Sequence, residues 1–150
     1  RYFDGKLPPK PTGQFPVKIS ELVNNYVVDF DALRLEGAIS RGLGLVRNID
    51  NYIEQRQPFK LAKDMDSNRA AVEEVLYNCA EAMRIASILL WPIMPQKMEQ
   101  LHQRLGCDHY AAALADHGRG DLEAWTRWGQ LETGTSIQQG DALFPRHQPT

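Results

Sequence analysis

The stretch ALRLEGAISRGLGLVRNIDNYIEQRQPF, residues 32–59, decides the fold. Ala32, Leu35, Ile39, Leu43, Val46, Ile49 and Ile53 recur every three or four residues, the period of an amphipathic helix. The spacing predicts one long helix from about Ala32 to Arg56, with Asp29 or Asp31 available to cap its start. Gly37, Gly42 and Gly44 each weaken that helix by about 1 kcal/mol relative to Ala. Pro58 must end it, because proline lacks an N–H and disfavours helical geometry at Gln57. The break leaves an aromatic ring, Phe59, on a corner between two cations, Arg56 and Lys60.

Outward from this helix the pattern stays helical. Val17–Val28 predicts a short helix with Ile19, Leu22, Val23, Tyr26 and Val27 on one side. A third helix is expected from Ser67 or Asn68 to a stop at Pro92, with Val72, Val75, Leu76, Cys79, Met83, Ala86, Leu89 and Leu90 inward. MPQKMEQLHQRLG, residues 94–106, reads as a fourth, with Met98, Leu101 and Leu105 inward and Gly106 at its C-terminal cap. A short helix is expected at Leu122–Trp128, followed by a loop and an extended tail. No strand alternation and no internal repeat are visible. The expected fold is all-α, a bundle of four to five helices over residues 17–130, preceded by a linker (1–16) and followed by a tail (131–150). The opening RYFDGKLPPKPTG reads as the middle of a longer protein.

The 150 residues, 43% hydrophobic and 24% charged, suit one domain with a real core. A net charge of −2 argues against a general basic coat for nucleic acid, though a local basic patch is compatible with it. No stretch reaches the ~18 apolar residues of a membrane span. Cys79 and Cys107 lack metal-binding spacing, and Cys79 reads as a reduced core thiol of a cytosolic protein. No glycine-rich phosphate loop follows a strand. The four histidines are scattered, and His109 and His117, near Asp108 and Asp116, read as solvated rather than metal-binding. Ser40, Ser67 and Ser87 sit in helical contexts and are expected to lack a nearby histidine. The residues by themselves predict no catalytic centre.

Phe59 admits two readings. It can plug the corner from below, with solvated cations around it, or be held out for an unpaired base. Bases stack on aromatic rings at about 1–3 kcal/mol each, and Arg56, Lys60 and Lys63 could then hold phosphates. Arg47 and Lys63 read more simply as wet surface charges. Trp91 reads as core, and Trp125, Trp128 and Tyr110 as cover for the far end of the bundle.

Four motifs in order, RYFDGKLP (1–8), NYIEQRQPFKLAKD (51–64), RIASILLWPIMPQKMEQLHQRLG (84–106) and GDALFPR (140–146), resemble the C-terminal anticodon-binding domain of bacterial methionyl-tRNA synthetases. The resemblance spans nearly the whole chain, and its most specific parts are the Pro-aromatic-x-x-Ala-Lys corner and LLWPIMP. It implies a tRNA-recognising part of an enzyme that ligates methionine to tRNA with ATP. The family's HIGH-type and KMSKS-type ATP-site sequences and zinc knuckle are absent, so ATP and any zinc belong upstream, and these residues alone are expected to be inactive. In the family a proline–aromatic pair ends the long helix, and the aromatic, commonly Trp, stacks on the first anticodon base. Pro58 and Phe59 match those positions, with Phe keeping the π face but losing ring area and the indole N–H. Arg56 and Lys60 become candidate phosphate contacts. Asp50 stands where the family often has Asn. The family's other anticodon readers, an Asn and an Arg, lie on a helix before RYFDG. LFPR (143–146) resembles a return segment that docks on the enzyme's own catalytic domain, with Leu143 and Phe144 as anchors. DALR (31–34) nominally favours an arginyl or cysteinyl sister enzyme, and a helical protein–protein interaction domain is the remaining alternative. The implied partners are tRNA and the catalytic domain, in the cytoplasm, with no membrane.

Overall fold

In the computed structural model, residues 3–13, 15–107 and 122–145 are described. Among them the chain forms α1 (Ile19–Asp31), α2 (Leu35–Arg56), the single turn α3 (Pro58–Leu61), α4 (Met65–Leu90), α5 (Pro95–Arg104) and the single turn α6 (Leu122–Trp125). The only pairing of extended chain among these residues is an isolated antiparallel bridge between Lys6 and Ser136. The all-α expectation holds.

Helix α4 is the hub. From Tyr77 to Leu90 it is buried on nearly all sides, because one hydrophobic cluster lies on each flank. The first joins α1, α2 and α4 through Val23, Tyr26, Leu45, Ile49, Ile85 and Leu89. Tyr26 fastens α1 to α4 by donating its hydroxyl to the Leu89 carbonyl at 2.8 Å. Burial pushes the Tyr26 phenol up to about 12, so it stays neutral and remains a donor. The second cluster joins Tyr77, Ala80, Leu105 and Cys107 to Leu7 and Leu131 from the two ends of the chain. Residues 1–16, expected as a linker, therefore supply Leu7 and Phe15 to the two clusters. The Leu7 N–H donates to the Thr135 carbonyl at 2.8 Å, and the Leu7 carbonyl accepts from Gly134 at 2.9 Å.

The long helix differs from expectation in its register. Its buried residues are Ala38, Gly42, Leu45, Ile49 and Tyr52. Leu35, Leu43 and Val46, expected inward, are exposed. At about 100° per residue the expected stripe is displaced by roughly a quarter turn from the face that α4 covers. Gly42 sets that face. A Cβ there would stand 2.7 Å from Leu90 Cδ2, so any larger residue would push the Leu90 side chain out of its place between α2 and α4. The α2 N-terminus also departs from expectation, since its cap residue, Arg34, makes no side-chain cap. The Asp29 carboxylate instead accepts from Arg34 Nε (3.0 Å) and Nη2 (2.9 Å), and from Arg41 Nε (3.1 Å). Helix α4 starts slightly earlier than predicted, because Asp64 accepts from the Ser67 N–H at 3.3 Å and caps it.

Candidate nucleic-acid interface

The corner after α2 is built by backbone. Gln57 sits in the left-handed region (φ 45°, ψ 56°), closing α2 through its N–H to the Ile53 carbonyl at 2.8 Å. Its own carbonyl then accepts from Lys60 at 2.8 Å, starting α3 with Pro58 at the first helical position. Proline fixes its own φ and keeps the preceding residue out of the right-handed region, so α2 cannot continue into α3. The ring of Phe59 is turned to solvent, 57% exposed, and Lys60 and Lys63 beside it are exposed too. Pro58 is half-buried beneath the corner.

Arg56 is differently placed. Its Nη2 lies 3.0 Å from Glu74 Oε1 on α4, and its guanidinium carbon is 5.8 Å from the centre of the Tyr52 ring one turn earlier. The structure therefore sets Phe59 and Lys60 outward while turning Arg56 back onto the bundle. Glu74, Tyr52 and Asn78, which the sequence did not single out, stand behind it. Asn78 Nδ2 donates to the Tyr52 hydroxyl at 3.2 Å, and that hydroxyl is 3.5 Å from the same Glu74 oxygen. Within α2, the four-residue spacing of Tyr52 and Arg56 was visible as a pair on one face, but their partners on α4 were not. Arg47 is exposed, as read.

The tryptophans pack as read. Trp91 stacks on His102 with ring centres 5.6 Å apart, and Trp128 stacks on Phe15 at 5.4 Å. Trp125 packs on the second cluster. Tyr110, His109, His117, Asp108 and Asp116 lie outside the described residues. Phe144 is 59% exposed and Leu143 half-buried, while Arg146 lies outside the described residues.

One sequence reading is corrected. Ser87 does have a histidine beside it: its Oγ lies 2.6 Å from His102 Nε2, fifteen residues along the chain. The Ser87 hydroxyl donates to the Arg84 carbonyl at 2.6 Å, so its only proton is committed and Nε2 must be the donor between the two. Both side chains are wholly buried, and the pair joins α4 to α5 rather than forming a nucleophile and base. Burial likewise pushes the Cys79 thiol up to about 11, with Asp50 adding to the effect, so it is a core residue without thiolate character. Among the described residues no group of three or more His, Cys, Asp or Glu could hold a metal, and no helix is long and apolar enough to cross a membrane.

The chain is 33% identical to the methionine–tRNA ligase of Streptomyces coelicolor over 97% of its own length and 28% of that protein. It is 32% identical to the corresponding ligase of Caldanaerobacter subterraneus, again over 97% of this chain and 22% of the relative. Over nearly its whole length the chain is similar to part of the methionine–tRNA ligases. It spans about a quarter of the length of these curated relatives. The free-state methionyl-tRNA synthetase of Mycobacterium tuberculosis shares the fold, with a TM-score of 0.69 over all of this chain and 29% of that one at 24% identity. The same synthetase in complex with methionyl-adenylate gives 0.66 at 23% identity. No protein-family model matches. This similarity favours a methionine–tRNA ligase over an arginyl or cysteinyl sister and over a helical interaction domain.

Proposed function

We propose that this chain is the anticodon-recognition part of a methionine–tRNA ligase. Phe59, set on Pro58, stacks on an unpaired anticodon base, and the corner offers positive charge to the adjoining phosphates. The carrying observation is the 57% exposure of Phe59 on a corner fixed by proline, when the chain's other large rings near α2 are packed. A ring held out by a rigid scaffold binds a base without an ordering cost.

On this reading methionine activation with ATP, and any zinc, belong to the rest of a cytoplasmic ligase, since the chain spans about a quarter of the length of its curated relatives. Phe144, 59% exposed, is with Leu143 the surface offered to the enzyme's own catalytic domain. In the full-length ligase, Phe59→Ala should weaken tRNA binding and aminoacylation while methionine activation with ATP survives. Equal loss of both activities would remove Phe59 from tRNA recognition.

A further inference from the structure

Arg56 and Lys60 flank Phe59 on either side in sequence, yet the structure gives them opposite surroundings. Arg56 has a carboxylate already in place, Glu74 Oε1 at 3.0 Å, and the face of Tyr52 beside it. Glu74 is itself confined. Tyr52, held by buried Asn78, stands on one side, and on the other Gly13 comes so close that a Cβ there would lie 2.8 Å from Oε2. No ion pair among the described residues involves Lys60 or Lys63.

Resting on the anticodon reading, we propose that Arg56 is a positioning residue, and that Lys60 is the cation that meets an RNA phosphate at this corner. A phosphate approaching Arg56 would compete with Glu74 for the guanidinium and would feel its negative charge. Lys60 presents neither obstacle. Arg56 ends α2 immediately before Gln57, so fixing its side chain to α4 fixes the turn from which Phe59 projects. Glu74 is thereby part of the site without touching RNA, and a methyl group at Gly13 would shift that carboxylate from its place beside Arg56.

Salt dependence separates the two roles, because each phosphate neutralised adds about 0.7 to the slope of log affinity against log salt for single-stranded RNA. Full-length ligase and methionine-accepting tRNA would be titrated across a series of KCl concentrations. Lys60→Gln should weaken binding and flatten the slope by about 0.7. Arg56→Gln, Glu74→Gln and Gly13→Ala should each weaken binding by about two- to fivefold, the scale of one exposed ion pair, with the slope unchanged. The Arg56→Gln/Glu74→Gln double variant should be no worse than either single one, since the two act as a unit. A flatter slope in Arg56→Gln, tighter binding in Glu74→Gln, or an unchanged slope in Lys60→Gln would each overturn the assignment. Gly13→Ala alters no charge and guards against a fold defect at α4, while retained methionine activation reports an intact enzyme. Phe59→Ala in the same titration tests the anticodon reading separately: if tRNA affinity is indifferent to it, that reading fails whatever the cations do.

Discussion

Two glutamates stand seven residues apart on α4, each paired with an arginine, and they do different work. Glu81 and Arg84 are both wholly buried, with Oε1 and Nη2 2.6 Å apart. Three backbone N–H groups, from Gly129, Gln130 and Leu131, converge on the same carboxylate at 2.8–3.1 Å. Arg84 also donates to the carbonyls of Trp125 and Arg127. Every charge is matched, so the pair clamps the returning chain, 125–131, onto the hub helix. Glu74 and Arg56 meet at 3.0 Å with the arginine side chain 40% and the glutamate 25% exposed. Water competes for both, and such a pair is worth at most about 1 kcal/mol. Burial makes the first a structural commitment, and exposure leaves the second free to serve a binding corner.

The contrast is broken most severely at the buried pair. Glu81→Ala strands the Arg84 guanidinium in the core and should cost about 3–5 kcal/mol, read as a lower denaturation midpoint at unchanged m. A loss below about 1 kcal/mol would mean that the clamp is dispensable. At the exposed corner the effect should fall on binding. Phe59→Ala should cost about 1–3 kcal/mol in tRNA affinity while changing stability by no more than about 0.5 kcal/mol, measured by titration and thermal unfolding of the same variant.

A smaller effect sharpens the corner itself. Gln57 holds a left-handed backbone, which costs a side-chain-bearing residue about 1–2 kcal/mol. Gln57→Gly removes that cost but adds about 0.5–1 kcal/mol of unfolded-state entropy. A net gain of up to about 1 kcal/mol in denaturant unfolding is expected, and a clear loss would show that the Gln57 side chain matters for its own contacts.

The third carboxylate–arginine group answers to pH. Hydrogen bonds from Arg34, then Arg41, hold the Asp29 carboxyl below its ordinary value. A lowered folded pKa means that this stabilisation is fully present above the unfolded value, near pH 4, and disappears as pH falls through the folded one. Unfolding followed from pH 5 downward should therefore fall less steeply in Asp29→Asn than in the unaltered protein.

Much of this was legible in the sequence. The helical period, Pro58, Pro92 and Gly106 fixed the class and the breaks, because each acts through its own backbone. Proline also sufficed to place Phe59 on a corner. The side of α2 that faces the core was not legible. The helix is apolar over more of its circumference than one neighbour can cover, and the choice was made at Gly42, where Leu90 needs the space. The partner of Arg56 and the backbone N–H groups that reach Glu81 were equally hidden, as was the meeting of Ser87 with His102. Each depends on groups brought together from distant positions or from the far end of the chain, and no local spacing encodes such a meeting. The sequence by itself determined which segments are helices, where they stop, and that an aromatic ring sits at the break. Only the tertiary structure decided which cation beside that ring is already engaged, because that depends on what α4 places within 3 Å of it.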